Sequence, residues 1–275
     1  MPGERWIQLD GAVNVRDLGG LPAAGGGVVR PHRLIRADNL QDLSPADLRL
    51  LVDRYEVRAV ADLRTSVEVD SEGPGPMTAE ALVRIEHLSL FPEAGENTDA
   101  MAAEGDDEAI GGLDPGVLPW RSRRLVDADE SGVKRSAVQV YLRYLLDRPD
   151  SVVGALRLIG HTDGATIVHC AAGKDRTGTV VALALAAVGV ERAAIVEDFA
   201  LTAQRLDLIL ARLSASRTYA RDMEGSRPSQ HEPRASTMAS FLDELDRQFG
   251  GPEGWLASQG WTAADGDALR RSLLG

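Results

Sequence analysis

Cys170 and Arg176 are the side chains whose types and spacing suggest chemistry, because five residues separate them in the 275-residue sequence. A cysteine acts as a nucleophile in its thiolate form. A guanidinium can hold two oxygens of a phosphate at once. Thr177, which follows the arginine, can donate a hydrogen bond to the sulfur. These residues suit a two-step phosphoryl transfer, in which Cys170 forms a cysteinyl-phosphate that water then hydrolyses.

The flanking segments predict that this pair lies in a loop between a strand and a helix. The β-branched run at residues 165–168 predicts a buried strand, and the apolar run at residues 179–188 predicts a core helix. A loop that enters a helix N-terminus points several backbone N–H groups at one place, where the helix dipole favours an anion. We therefore expect a phosphate-binding loop. Its expected substrate-binding residues are Ala171, Ala172, Gly173, Lys174, Thr177 and Gly178.

The whole stretch His-Cys-Ala-Ala-Gly-Lys-Asp-Arg-Thr-Gly, residues 169–178, resembles the signature of the cysteine-dependent protein tyrosine phosphatases. It is most similar to the atypical bacterial branch, which has secreted mycobacterial members. Four further segments resemble that branch in the same order, at residues 14–20, 33–36, 61–64 and 254–256. The resemblance covers most of the chain and implies an α/β phosphatase fold. That fold has a central, largely parallel sheet flanked by helices, with a helix-rich C-terminal part and a single domain over residues 1–275.

The resemblance also implies the substrates, which are phosphotyrosine proteins and, in this branch, phosphoserine, phosphothreonine or phosphoinositides. Lys174 and Asp175 resemble the loop of the lipid-active members. Ala171 departs from lipid phosphatases of the tumour-suppressor type, which have a basic residue directly after the cysteine. Two alternatives to a tyrosine phosphatase stay open: a phosphoinositide phosphatase, and a catalytically weak phospho-binding module. The intact Cys170 and Arg176 count against the second alternative.

Several residues are candidates for protonating the leaving group, because the sequence has no Trp-Pro-Asp segment, the usual source of the general acid. Asp175 is our first candidate, and Asp62 and Glu93 are the alternatives. Asp175 could instead orient the loop by pairing with Lys174 or Arg64.

Other polar residues are expected to support the loop. We expect His169 to be a buried donor that orients it. Arg64 is expected either to anchor the loop or to pair with Asp62. The adjacent Arg16 and Asp17 are expected to form a local ion pair that holds a turn.

Residues 204–250 are expected to contain helical lid elements over the site, the alternative being an ordinary surface connection. Residues 93–114 carry eight acidic and no basic side chains and predict a surface loop.

The amino-acid composition argues against several classes of function. The formal net charge of −12 argues against a general binder of nucleic acid or of anionic membranes. A single cysteine excludes a disulfide scaffold and a multi-cysteine metal site. We expect no metal or other cofactor, because the loop itself neutralises phosphate. With neither a signal peptide nor a membrane-spanning run recognised, a cytoplasmic location is the default expectation and leaderless secretion stays possible. The sequence does not indicate the oligomeric state.

Overall fold

The computed structural model describes residues 5–73, 75–92, 118 and 136–275. The predicted acidic surface loop and the alternative acid Glu93 lie outside the described residues.

A five-stranded sheet forms the centre of the fold, with the strand order β1-β2-β5-β3-β4. The strands are β1 (Arg16–Asp17), β2 (Leu34–Ala37), β3 (Val57–Asp62), β4 (Arg84–His87) and β5 (Ala165–His169). Strands β2, β5, β3 and β4 are parallel, and only β1 is antiparallel to its neighbour. Ala37 and Asp62 pair in register with His169, so three strands end together beside Cys170.

Helices cover the sheet and make up most of the second half of the described chain. Those before β5 are α1 (Pro45–Arg49), α2 (Ser66–Glu72), α3 (Ala137–Asp147) and α4 (Pro149–His161). Those after it are α5 (Asp175–Ala187), α6 (Arg192–Leu201), α7 (Leu206–Ala215), α8 (Ala220–Met223), α9 (Ala235–Phe249), α10 (Gly251–Ser258) and α11 (Ala263–Leu273). This arrangement confirms the predicted α/β class with a largely parallel sheet.

Both faces of the central strands β2, β3 and β5 are buried, which explains why these strands are mostly apolar. Along β3 and β5, successive side chains enter different cores. Ala61 and Val168 pack in the larger core with α3, α4, α5 and α9, whereas Val60 and Ile167 pack in the smaller core on the other side. Helix α5 is buried without interruption from Arg176 to Leu185. The helix that begins at the predicted phosphate-binding loop is therefore fixed in the larger core.

Candidate active site

The predicted loop joins β5 to α5, with Cys170 directly after the strand and Arg176 in the first turn of the helix. The Cys170 side chain is buried, and the Thr177 hydroxyl donates to its sulfur over 3.3 Å. Gly173 has a φ of +65°, and a Cβ there would lie 2.5 Å from the Ala37 carbonyl oxygen. Only glycine suits this turn, because a side chain would meet both a strained backbone angle and the end of β2.

The other predicted loop residues have different surroundings. Ala171 and Ala172 line the cavity above Cys170. Gly178 lies under the Phe199 ring, where a Cβ would approach the ring carbons to 2.9 Å. The Lys174 ammonium donates to the His231 carbonyl over 2.8 Å. In this conformation Lys174 therefore contacts the segment that follows α8.

Arg176 is held by a carboxylate that the sequence analysis did not single out. Its two terminal nitrogens donate to the two Glu68 oxygens over 2.6 and 2.8 Å, and one also donates to the Leu63 carbonyl. Burial alone would lower the pKa of Arg176, but the Glu68 charge and hydrogen bonds outweigh burial and hold that pKa well above its ordinary value. Arg176 is thus a fixed cation with its planar fork oriented beside Cys170.

Glu68 owes its position to the start of α2. Thr65 caps this helix: its side chain accepts from the Glu68 N–H, and the Glu68 carboxylate accepts from the Thr65 N–H. Glu68 also accepts from the Tyr219 hydroxyl over 2.8 Å. The Thr-x-x-Glu pattern could have indicated the helix start, but it carries no signal of the distant arginine.

Asn14 and Arg36 hold the back of the loop. The Asn14 amide donates to the carbonyls of Ala172 and Gly173 over 2.9 and 3.2 Å. Arg36 donates to the Gly173 carbonyl over 2.7 Å. The two N-terminal segments that resemble the family therefore supply hydrogen-bond donors to carbonyls of the loop.

Asp198, from α6, accepts hydrogen bonds from three arginines behind the loop. It accepts from Arg16 over 3.0 Å, from Arg36 over 2.9 Å and from Arg5 over 3.0 Å. Burial lowers the pKa of Arg16 to about 10, with Asp198 opposing this effect and Arg36 adding to it. Burial by itself would raise the pKa of Asp198, but Arg16 and Arg36 bring it down to about 2. Asp198 is therefore ionised in the folded protein at neutral pH.

The expected ion pair between Arg16 and Asp17 is wrong. Arg16 bonds to Asn14 and Asp198, whereas Asp17 accepts from the N–H groups of Gly19 and His32. Adjacent residues on a strand point to opposite faces, so these two side chains cannot meet.

Asp62, Arg64 and His169 form a separate cluster at the end of β3. Arg64 donates to Asp62 over 2.6 and 2.9 Å, and the His169 Nε2 lies 3.4 Å from the same carboxylate. Burial opposes ionisation of Asp62, but His169 and Arg64 hold its pKa well below the ordinary value. The structure thus pairs Arg64 with Asp62, and its remaining side-chain bonds in the described chain go to Asn39 and Gln41 rather than to the loop. An ionised, fully engaged Asp62 has no proton to donate.

Asp175 lies at the rim of the loop with a partly exposed side chain. Its Oδ1 accepts from the Tyr141 hydroxyl over 2.5 Å, and its Oδ2 lies 3.5 Å from the Lys174 ammonium. The expected pairing with Lys174 is present, and that with Arg64 is not among the described contacts. Of the predicted acids that the structure describes, Asp175 is the one beside the cavity.

A cavity of about 420 Å³ opens above Cys170. Cys170, Asp175 and Arg176 contribute to its polar end. Its apolar and aromatic walls come from Phe91, Val140, Tyr144, Leu213, Tyr219 and Met223. Leu213 belongs to α7 and Met223 to α8, so both helices contribute to the cavity wall.

No helix in the described part of the chain has the length and hydropathy needed to span a bilayer. Nor does that part of the chain contain three or more histidine, cysteine or acidic side chains grouped as metal ligands.

Comparison with known proteins agrees with this geometry. The sequence profile of the tyrosine phosphatase family matches residues 7–275. The chain is 30% identical over 295 aligned positions to the triple specificity protein phosphatase PtpB of Mycobacterium tuberculosis, which covers 98% of this chain and 99% of that protein. It is 29% identical over 276 positions to a protein of Cupriavidus necator named as a tyrosine-protein phosphatase, covering 98% and 85% of the two chains. A tyrosine-protein phosphatase of Nostoc commune is 36% identical over 109 positions, which span 38% of this chain and 37% of that one. These matches confirm the family inferred from the loop: the chain is a phosphatase that belongs to the tyrosine phosphatase family.

Proposed function

We propose that the chain hydrolyses phosphotyrosine in proteins through a cysteinyl-phosphate intermediate. The observation that carries this proposal is the position of Cys170 at the floor of an aromatic-walled cavity, with Arg176 fixed beside it by Glu68. The Cys170 sulfur attacks phosphorus, and the bond from phosphorus to the phenolic oxygen breaks. Arg176 and the loop N–H groups stabilise the charge on the equatorial oxygens.

Asp175 is the proposed general acid for this step. Its proton passes to the leaving phenolic oxygen as the phosphorus–oxygen bond breaks. In the second step the Asp175 carboxylate takes a proton from water, and the water oxygen attacks phosphorus. The phosphorus–sulfur bond then breaks, and the Thr177 hydroxyl stabilises the departing Cys170 thiolate.

The walls of the cavity support an aryl phosphate as the preferred substrate. The rings of Phe91 and Tyr144 and the side chain of Leu213 suit a phenyl ring. A phosphoinositide headgroup needs further cations, yet Arg143 on the wall is paired with Asp147, and Lys174 is engaged by the His231 carbonyl. Hydrolysis of phosphoinositides is the second candidate activity, which the Lys-Asp pair of the loop favours.

We infer that residues 1–275 form one phosphatase domain and that α7 and α8 are its lid. Tyr219 supports this assignment, because it lies between these helices and its hydroxyl bonds to Glu68. Helix α9 does not belong to the lid: Met238, Phe241 and Leu245 bury their side chains in the larger core.

Release of p-nitrophenol from p-nitrophenyl phosphate tests the proposed reaction. We expect activity in the wild type without added metal and none in Cys170→Ser. A wild type that binds phosphotyrosine peptides but releases no phosphate would instead be a phospho-binding module.

Substrate preference is tested by comparing kcat/KM for phosphotyrosine peptides with that for phosphoinositides in vesicles. We expect the peptides to be the better substrates. A higher kcat/KM on phosphoinositides would make the lipid activity the main one.

The role of Asp175 is tested with aryl phosphates whose leaving groups differ in basicity. General acids contribute about 10²- to 10⁴-fold. Asp175→Asn should therefore lose about 10²-fold on phenyl phosphate and little on dinitrophenyl phosphate, whose leaving group needs no proton. Equal losses on both substrates would show that Asp175 is not the acid.

A further inference from the structure

The Asp175 carboxylate is bonded to a phenol from a distant part of the chain. Tyr141, on α3, donates to Oδ1 over 2.5 Å, a short distance for a hydroxyl–carboxylate bond. The two residues are 34 positions apart. No local pattern connects them, and the bond exists because α3 packs beside the start of α5.

The core holds the Tyr141 ring in one place. The ring makes edge contacts with Phe199 and Phe241, at centroid distances of 6.2 and 5.8 Å, and it stacks on Tyr144 at 6.3 Å. Tyr141 is almost fully buried. A side chain packed on several sides has few alternative rotamers, so its hydroxyl is a fixed donor to which the more exposed Asp175 must adapt.

The phenol keeps its proton throughout the working pH range. Burial and the nearby Asp175 charge raise the pKa of Tyr141 well above its ordinary value. Tyr141 therefore donates to Oδ1 both when Asp175 is ionised and when it is protonated. The Lys174 ammonium, 3.5 Å from Oδ2, lies beyond the usual length of a hydrogen bond.

We propose that Tyr141 is the positioning residue for the general acid: it keeps Oδ1 of Asp175 as an acceptor and so places the transferable proton on Oδ2. This inference rests on the acid role proposed above for Asp175. In the first step the Oδ2–H bond breaks as the phosphorus–oxygen bond breaks, and the proton goes to the leaving oxygen. Oδ1 stays bonded to the phenol, which neither gains nor loses a proton.

The proposal predicts a specific signature for Tyr141→Phe, which removes one oxygen and keeps the ring contacts. We expect kcat on phenyl phosphate to fall about tenfold, a part of what a general acid supplies. The rate on dinitrophenyl phosphate should change less than about twofold, because that leaving group departs without a proton.

Tyr144→Phe is the matched control, since it removes a buried phenol from the same helix and no bond from this phenol to Asp175 is present. The Tyr144 ring also lines the cavity, so the substitution can change the rate, but any such change should be equal for both leaving groups. A Tyr141→Phe enzyme that behaves like this control would overturn the proposal.

Asp175→Asn separates the two proposals. If Asp175→Asn loses rate selectively on phenyl phosphate and Tyr141→Phe does not, only the role of Tyr141 is wrong. If Asp175→Asn shows no such selectivity, the acid role falls and that of Tyr141 with it. In the double variant, Tyr141→Phe should add no further loss, because its effect acts through the Asp175 proton.

Proton NMR of the wild type gives a readout that does not depend on the folding of a Tyr141 variant. We expect a slowly exchanging hydroxyl resonance that is absent from Asp175→Ala. A wild-type spectrum without such a resonance would contradict a persistent bond between the two side chains.

Discussion

Replacing Asp198 by asparagine tests whether the buried cluster behind the loop stabilises the protein through charge. Asparagine has nearly the same shape as aspartate, but it is neutral and its amide group is a donor. The change leaves the guanidinium groups of Arg16 and Arg36 buried without their counterion. It also directs an N–H group at an arginine, so one hydrogen bond of the cluster is lost.

Two estimates of the cost come from the structure. The pKa of Asp198 is about 2, against an ordinary value of 3.8. At about 1.4 kcal/mol per pKa unit, ionisation of this side chain contributes about 2.5 kcal/mol to the free energy of unfolding. Removing one partner of a buried ion pair typically costs about 3–5 kcal/mol. We therefore expect Asp198→Asn to lower the free energy of unfolding at pH 7 by about 2–5 kcal/mol.

Urea unfolding followed by tryptophan fluorescence measures this loss, since Trp255 is fully buried and reports on the core. Asp243→Asn is the control, because Asp243 also pairs with an arginine, Arg192, but at the exposed surface. That control should lose less than about 1 kcal/mol. A loss below about 1 kcal/mol for Asp198→Asn would refute the argument that the cluster depends on its charge.

The difference in unfolding free energy between the wild type and Asp198→Asn should depend on pH, and the sign of this dependence follows from the lowered pKa of Asp198. A carboxylate with a depressed pKa contributes its stability fully above its ordinary pKa of 3.8, and this contribution is lost as the pH falls towards about 2. Wild type and Asp198→Asn should therefore become closer in stability between pH 4 and pH 2. A difference that stays constant over this range would show that the loss does not come from ionisation.

Two further predictions concern the loop and its arginine. Glu68→Gln removes the charge that orients Arg176, so kcat/KM should fall about 10²-fold. The control Glu72→Gln, on the same helix, should cause little loss. Equal losses in the two variants would contradict the role of Glu68. Gly173→Ala should abolish most of the activity, because its Cβ would collide with the Ala37 carbonyl. Gly20→Ala, where φ is also positive but nothing lies within 4 Å, should cost only about 1–2 kcal/mol of stability and leave kcat unchanged. Full activity in Gly173→Ala, measured by phosphate release, would show that the loop does not need this turn.

Prediction from the sequence succeeded where the determining interactions are local. The loop between β5 and α5 was predicted from ten consecutive residues, and the structure has the strand and the helix on either side of it. The hydrophobic periodicity that predicts a strand or a helix depends on residues that are only a few positions apart in the chain. The family was recognisable for the same reason, because its most specific motif is continuous.

Prediction failed where a charged side chain has several possible partners that are distant in the sequence. Arg16 was expected to pair with its neighbour Asp17, but it pairs with Asp198, 182 residues away. A sequence shows that a charge is present but not which charge of opposite sign faces it. The sequence marks the two N-terminal segments as motifs, but only the tertiary structure shows that Asn14 and Arg36 donate hydrogen bonds to carbonyls of the loop.

The sequence by itself determined the loop between β5 and α5, the α/β class and the family, and it supplied the proposed nucleophile Cys170, because each depends on residues that are close together in the chain. Only the tertiary structure decided which groups bond to Arg176 and Asp175. Glu68 lies 108 residues from Arg176, and Tyr141 reaches Asp175 from another helix. The physical reason is that residues close together in the chain determine the backbone conformation of the loop. The orientation of a charged side chain within it depends on which elements the two cores bring into contact.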